Sequence, residues 1–177
     1  MVILKLPLKS CKKGQKLSLK RADRDAKEGV VIAQVSADGK KGIVIKLSSE
    51  TDFVAKNEDF IALAKKFANI ALENFPASKD DLLALPFEGI TIGDKVTEQV
   101  GVIGEKIELA NYEHLEAEQV FSYIHSGYRA GVIVGMNKAN AQSAEAGEDL
   151  AMQVAAMKPV AVDKDGVDAD TVAKEIE

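Results

Sequence analysis

The chain has 177 residues, 46% hydrophobic and 29% charged, with a formal net charge of −5 at pH 7. That length supports one sizeable core or two small ones; the apolar runs are broken by charges well short of the roughly 18 residues that a membrane span needs, and Met1–Leu8 lacks the length and cleavage site of a secretory signal. Cys11 is the only cysteine, which excludes an intrachain disulfide and a thiolate metal cluster built from this chain alone, and suits a reducing, cytoplasmic setting.

Charge is unevenly spread. Residues 1–24 hold eight Lys and Arg against Asp23 alone, a net +7, so residues 25–177 carry −12. An acidic body disfavours nucleic acid as a partner, because phosphates need Lys and Arg before any base can be read. For the basic arm, 1–27, contact with RNA and a solvated terminus are both open readings.

In chain order, Glu28–Leu47 reads as a β-hairpin: two β-branched runs flank Ser36-Ala37-Asp38-Gly39, and Asp-Gly supplies the positive φ of a tight turn. From Glu58 to Glu73, Phe60, Leu63, Ala64, Phe67, Ala68 and Ala71 recur at helical spacing, with Asn57 placed as the cap. Ser78–Leu85 predicts a short helix capped by Ser78 and stopped by Pro86, and Thr91–Ile103 another with Val96, Val100 and Ile103 on one side. A long edge strand is expected over Glu105–Glu116, then a second hairpin over Val120–Met136. A helix over Ala144–Met157 is expected to bury Leu150, Ala151, Val154 and Met157 and to end before Pro159, with Met152 and Met157 read as core. Lys158–Val162 reads as extended, and Asp168–Glu177 starts one more helix.

The second half repeats the grammar of the first. Gly131-Val132-Ile133-Val134 lies on Gly42-Ile43-Val44-Ile45 when the hairpins are superposed, and each is followed by a polar link and an amphipathic helix. The fold class expected is α+β: two similar small units, 28–104 and 105–177, each an antiparallel hairpin or sheet backed by helices.

Between the first hairpin and its helix lies Ser49-Glu50-Thr51-Asp52-Phe53-Val54-Ala55-Lys56-Asn57-Glu58-Asp59-Phe60. Thr51 can cap a helical turn, and Asp52 would place negative charge beside the N–H groups at its start. Phe53 then either stands at a tip between sheet and helix or folds back into the core. On the second hairpin, Tyr123-Ile124-His125-Ser126-Gly127-Tyr128-Arg129-Ala130-Gly131-Val132 offers His125 and Arg129, with a hydrogen-bonded turn residue the plain alternative for His125.

The stretch SSETDFVAKNEDF is similar to the signature of the elongation factor Ts family, whose most characteristic feature is Thr-Asp-Phe-Val followed by Ala and Asn. The Tyr123–Val132 segment resembles the family's Tyr-x-His-x-Gly-x-Arg-x-Gly-Val, and Leu150–Pro159 resembles its Ala-Met-x-Val-Ala-Ala-x-x-Pro helix end. The three matches fall in the family's order over roughly Asp23–Glu177. The resemblance implies guanine-nucleotide exchange on GDP-bound elongation factor Tu, without catalysis or a cofactor of its own. The ring matching Phe53 would wedge between helices of the GTPase domain, Asp52 would help displace the groups holding magnesium and phosphates, and Thr51, Val54, His125 and Arg129 would complete the partner-binding set. It also leaves both monomer and homodimer open.

The family's N-terminal three-helix module is not matched by Met1–Leu19, and its later Gly-x-Leu-x-Lys-Phe stretch is not found, so a core region, as a fragment or a short form, is expected. A domain that binds elongation factor Tu without efficient exchange is the alternative. An enzyme finds little support: there is no Gly-rich phosphate loop, and two histidines with one cysteine leave no metal-ligand spacing.

Overall fold

The computed structural model describes residues 24–138 and 141–168. The chain opens with β1 (Glu28–Val35) and β2 (Lys41–Ser49), paired antiparallel from Glu28↔Ser49 to Val35↔Gly42. Their turn is closed by Ser36 N–H to the Lys41 carbonyl at 2.8 Å and by Gly39 at φ 70°, the left-handed conformation expected of Asp-Gly. A single helical turn, α1 (Asp52–Ala55), and the long α2 (Glu58–Asn74) follow. The Asn57 side chain accepts the N–H groups of Asp59 and Phe60, the cap its position predicted.

Next come α3 (Lys79–Ala84), capped by Ser78, and α4 (Ile92–Ile103), where Thr91 and Asp94 form a reciprocal capping box. Between them lies a two-residue hairpin not anticipated from the sequence, β3 (Pro86–Phe87) with β4 (Ile90–Thr91), turned by Glu88 and Gly89 at positive φ. The strand expected at 105–116 forms as β5 (Glu108–Glu116) and pairs with β2, giving the sheet order β1-β2-β5. The division expected at 104/105 therefore falls just ahead of the third strand of the first sheet. Hairpin β6 (Gln119–Ile124) and β7 (Gly131–Met136) is joined by a 3₁₀ turn, Ser126–Tyr128, and followed by α5 (Ala141–Met157). The fold is α+β with small antiparallel sheets, as expected; the helix expected from Asp168 lies outside the described residues, as does most of the basic arm.

Layering follows from strand alternation. Val30, Ile32, Ile43, Ile45 and Leu47 point to one face and pack with Phe60, Ala64, Phe67, Ala68 and Ala71 of α2 in the main core. On the opposite face the second hairpin approaches closely at glycines: a Cβ on Gly42 would lie 2.6 Å from Val120, and one on Gly131 2.8 Å from Val31. These are the two glycines that the repeat superposition aligns. Phe121, the neighbour of Val120, points the other way and receives α5, where a Cβ on Gly147 would overlap its ring.

That seating corrects the expected face of α5. Ala151 is fully buried and Val154 partly, but Leu150 is 41% and Met157 75% exposed, and Met152 is exposed as well. Small residues, Gly147 and Ala151, bring the helix axis close to Phe121, so the larger side chains on either flank are left at the surface.

Candidate functional site

β2 delivers the chain into the Glu50–Lys56 segment at the end of the sheet. Ser48 and Ser49 are fully buried, and the Ser49 hydroxyl donates to the Thr51 carbonyl at 3.0 Å. Thr51 occupies the N-cap position of α1 in extended conformation, but its hydroxyl does not cap that turn. It donates instead to Glu105 Oε1 at 2.7 Å, while the Thr51 N–H donates to Oε2 at 3.0 Å. The hydroxyl expected to cap the turn is thus committed to a carboxylate 54 residues along the chain.

The residues that follow separate sharply by environment. Ala55 is buried and Val54 packs against the main core, whereas Phe53 between them and Thr51 is 83% exposed. Of the two readings of Phe53, the ring stands out at the tip rather than folding into the core. Placing an aromatic ring in water forgoes most of the roughly 25 cal/mol per Å² that its burial would contribute. The turn is otherwise tightly made, with the Lys56 N–H donating to the Asp52 carbonyl at 3.0 Å and Asn57 N–H to that of Val54 at 3.0 Å.

Asp52 is anionic and held. Lys56 Nζ lies 2.6 Å from its Oδ2, and that hydrogen bond, then the ammonium's charge, then more weakly the Arg129 guanidinium keep the Asp52 carboxyl below the usual carboxylate range. Arg129 belongs to the second sequence motif. It follows the 3₁₀ turn, where Gly127 at φ 77° and Tyr128 at φ 58° are both left-handed, a conformation that costs a tyrosine roughly 1–2 kcal/mol. Tyr128 packs partly against the main core, and Lys65 of α2 stands over its ring at 5.1 Å. His125 sits at the start of this turn, exposed, its Nδ1 3.2 Å from the Tyr123 hydroxyl and its N–H bonded to the Ala130 carbonyl.

Six residues were singled out by sequence. Of these, Asp52 and Phe53 stand on the turn that Thr51 and Val54 anchor, while His125 and Arg129 flank the 3₁₀ turn of the second hairpin. Sequence reasoning missed Lys56, which the i, i+4 spacing from Asp52 could have revealed, and Glu105, for which no local signal exists. No cluster of three or more metal-ligating side chains occurs among the described residues, and no described helix is long and apolar enough to cross a membrane.

The family model for Elongation factor TS matches residues 50–177, beginning at this turn and running through the second hairpin and α5. The chain belongs to the elongation factor Ts family. It is 53% identical over 166 residues to the Elongation factor Ts of Christiangramia forsetii and 51% identical to that of Flavobacterium psychrophilum, in each case over 94% of this chain and 60% of the relative. Against the more distant Elongation factor Ts of Rhodopirellula baltica, identity is 42% over 94% of this chain and 51% of the relative. The chain therefore spans about 60% of the length of the first relatives it matches.

Proposed function

We propose that this chain promotes GDP release from elongation factor Tu in the cytoplasm, acting as a nucleotide-exchange factor in translation elongation and not as an enzyme. The observation that carries the reading is Phe53: an aromatic ring 83% exposed, on a turn whose flanking residues are buried or hydrogen-bonded. Burying the exposed part of such a ring in a partner provides an upper figure of roughly 3 to 5 kcal/mol. That is comparable with the work of distorting a phosphate site, where magnesium is a large local charge and small ligand shifts weaken nucleotide binding disproportionately. Asp52, fixed as an anion by Lys56, is carried beside the ring into the same region and competes with the nucleotide's own negative charge for the partner's cationic groups.

Arg129 and His125 extend the contact surface along the second hairpin, toward a different part of elongation factor Tu. Val54 serves as the anchor behind the wedge. Exchange then needs no covalent step: if the factor weakens the nucleotide, the nucleotide weakens the factor by the same ratio, and the two alternate on elongation factor Tu.

Stopped-flow release of fluorescent GDP from elongation factor Tu tests this, with the chain and its Phe53→Ala form at equal concentration. Fast release that Phe53→Ala slows by tenfold or more, about 1.4 kcal/mol, is the expected result. Binding without acceleration by either form would reduce the chain to a docking domain, and equal acceleration by both would remove the wedge.

A further inference from the structure

The loop that carries Phe53 is tied to a distant loop by a reciprocal pair of bonds. Glu105 accepts both the N–H and the hydroxyl of Thr51, at 3.0 and 2.7 Å, and Glu50 Oε1 accepts the N–H of Lys106 at 2.6 Å. Adjacent residues on one loop, Glu50 and Thr51, are thus cross-linked to adjacent residues on the other, Glu105 and Lys106. Arg24 and the Lys106 side chain extend the network: Arg24 Nη1 bonds Glu50 Oε2 at 3.2 Å, and Lys106 Nζ donates to the Arg24 carbonyl at 2.9 Å. Gly104 sets up the second loop. It closes α4 in the left-handed conformation at φ 84°, and the next residue, Glu105, meets Thr51.

The first turn of α1 needs such a fixture. Four residues are far too few for a stable helix, and α1 has no side-chain cap of its own because the Thr51 hydroxyl is committed elsewhere. The Phe53 ring makes little contact with the rest of the chain, so its position is set by its backbone alone. That backbone is fixed behind the ring by Ala55 in the core and ahead of it by Thr51 on Glu105.

We propose that Glu105 is a positioning residue for Phe53: its carboxylate, through Thr51, holds the Thr51–Lys56 turn in the orientation that presents the ring. The inference rests on the exchange reading above for its consequence and on the free protein for its cause. Pre-ordering the turn lowers the conformational cost of inserting the ring, so losing the clamp slows productive docking more than it unfolds the protein.

The test uses the full chain, Glu105→Ala and the milder Glu105→Gln, each with and without Phe53→Ala. In the free protein, hydrogen–deuterium exchange of the amides from Thr51 to Lys56 is expected to quicken about tenfold or more in Glu105→Ala, from the loss of two bonds to a charged acceptor. Amides of Phe60–Ala71 in α2 should keep their protection, and Glu105→Gln should fall between. In GDP release, Glu105→Ala is expected to lower the second-order rate about tenfold when Phe53 is present and less than about twofold when it is Ala, since the effect travels through the ring. Unchanged exchange at 51–56 would overturn the proposal, and so would an equal loss in both backgrounds, which would make Glu105 a contact in its own right. Should the unmutated chain fail to accelerate release, the exchange reading falls, and the amide protection by itself decides whether Glu105 orders the turn.

Discussion

Gly147 sets helix propensity against tertiary packing, with opposite signs. It lies inside α5, where Gly→Ala ordinarily stabilises by about 0.5 to 1 kcal/mol through chain entropy and propensity. Here the added methyl would fall on the ring of Phe121, which is itself only 8% exposed and backed by the hairpin. A ring edge cannot yield as the end of a flexible side chain can, so α5 must move outward and loosen the contact at Ala151, which is fully buried. Overpacking of this kind costs about 1 to 3 kcal/mol. Net of the propensity gain, Gly147→Ala should destabilise by up to about 2.5 kcal/mol, lowering Tm by up to about 10 °C in a chain of this size. Urea denaturation followed by circular dichroism measures it, with Phe121→Ala as the second edge of a double-mutant cycle. With the ring removed, Gly147→Ala should become neutral or stabilising. If it stabilises the protein with Phe121 intact, α5 does not sit on that ring and the account of its buried face is wrong.

Three further outcomes follow from the packing and charge of single residues. Phe53→Ala should leave the free protein within about 1 kcal/mol of its original stability, since little of the ring is buried, whereas Phe67→Ala, fully buried, should cost about 3 to 5 kcal/mol in urea denaturation. Burial pushes the Tyr112 phenol up from 10.0 to about 12, and its hydroxyl donates to the Pro76 carbonyl at 2.8 Å. Because the folded pKa is the higher, its contribution is complete below pH 10 and declines as pH rises through 10 to 12, and Tyr112→Phe should flatten that alkaline slope. Lys56→Ala should move the Asp52 carboxyl up toward the usual carboxylate range, read by carboxyl-carbon NMR titration; the lowered pKa adds stability above the unfolded value that is lost as pH falls through the folded one.

Period and turn chemistry made the local elements legible. The Asp38-Gly39 turn, the Asn57 and Ser78 caps and the 3.6-residue spacing of Phe60, Ala64, Phe67 and Ala71 each depend on neighbours a few residues away, and each formed where expected. The exposed position of Phe53 was one of two readings because an aromatic residue after a capped turn satisfies either. Only the closure of the main core by Val54, Ala55 and Phe60 around it leaves the ring outside.

The sequence by itself determined the two long hairpins, the helices and the turn that bears Phe53, because backbone propensity and side-chain period are local properties. Tertiary structure decided what those elements are tied to: β5 to β2, the Thr51 hydroxyl to Glu105, and α5 to Phe121 through Gly147 and Ala151 in place of Leu150 and Met157. Each of those choices is made by partners distant in sequence or by the room left at a packed interface, and neither quantity is written in any single stretch of residues.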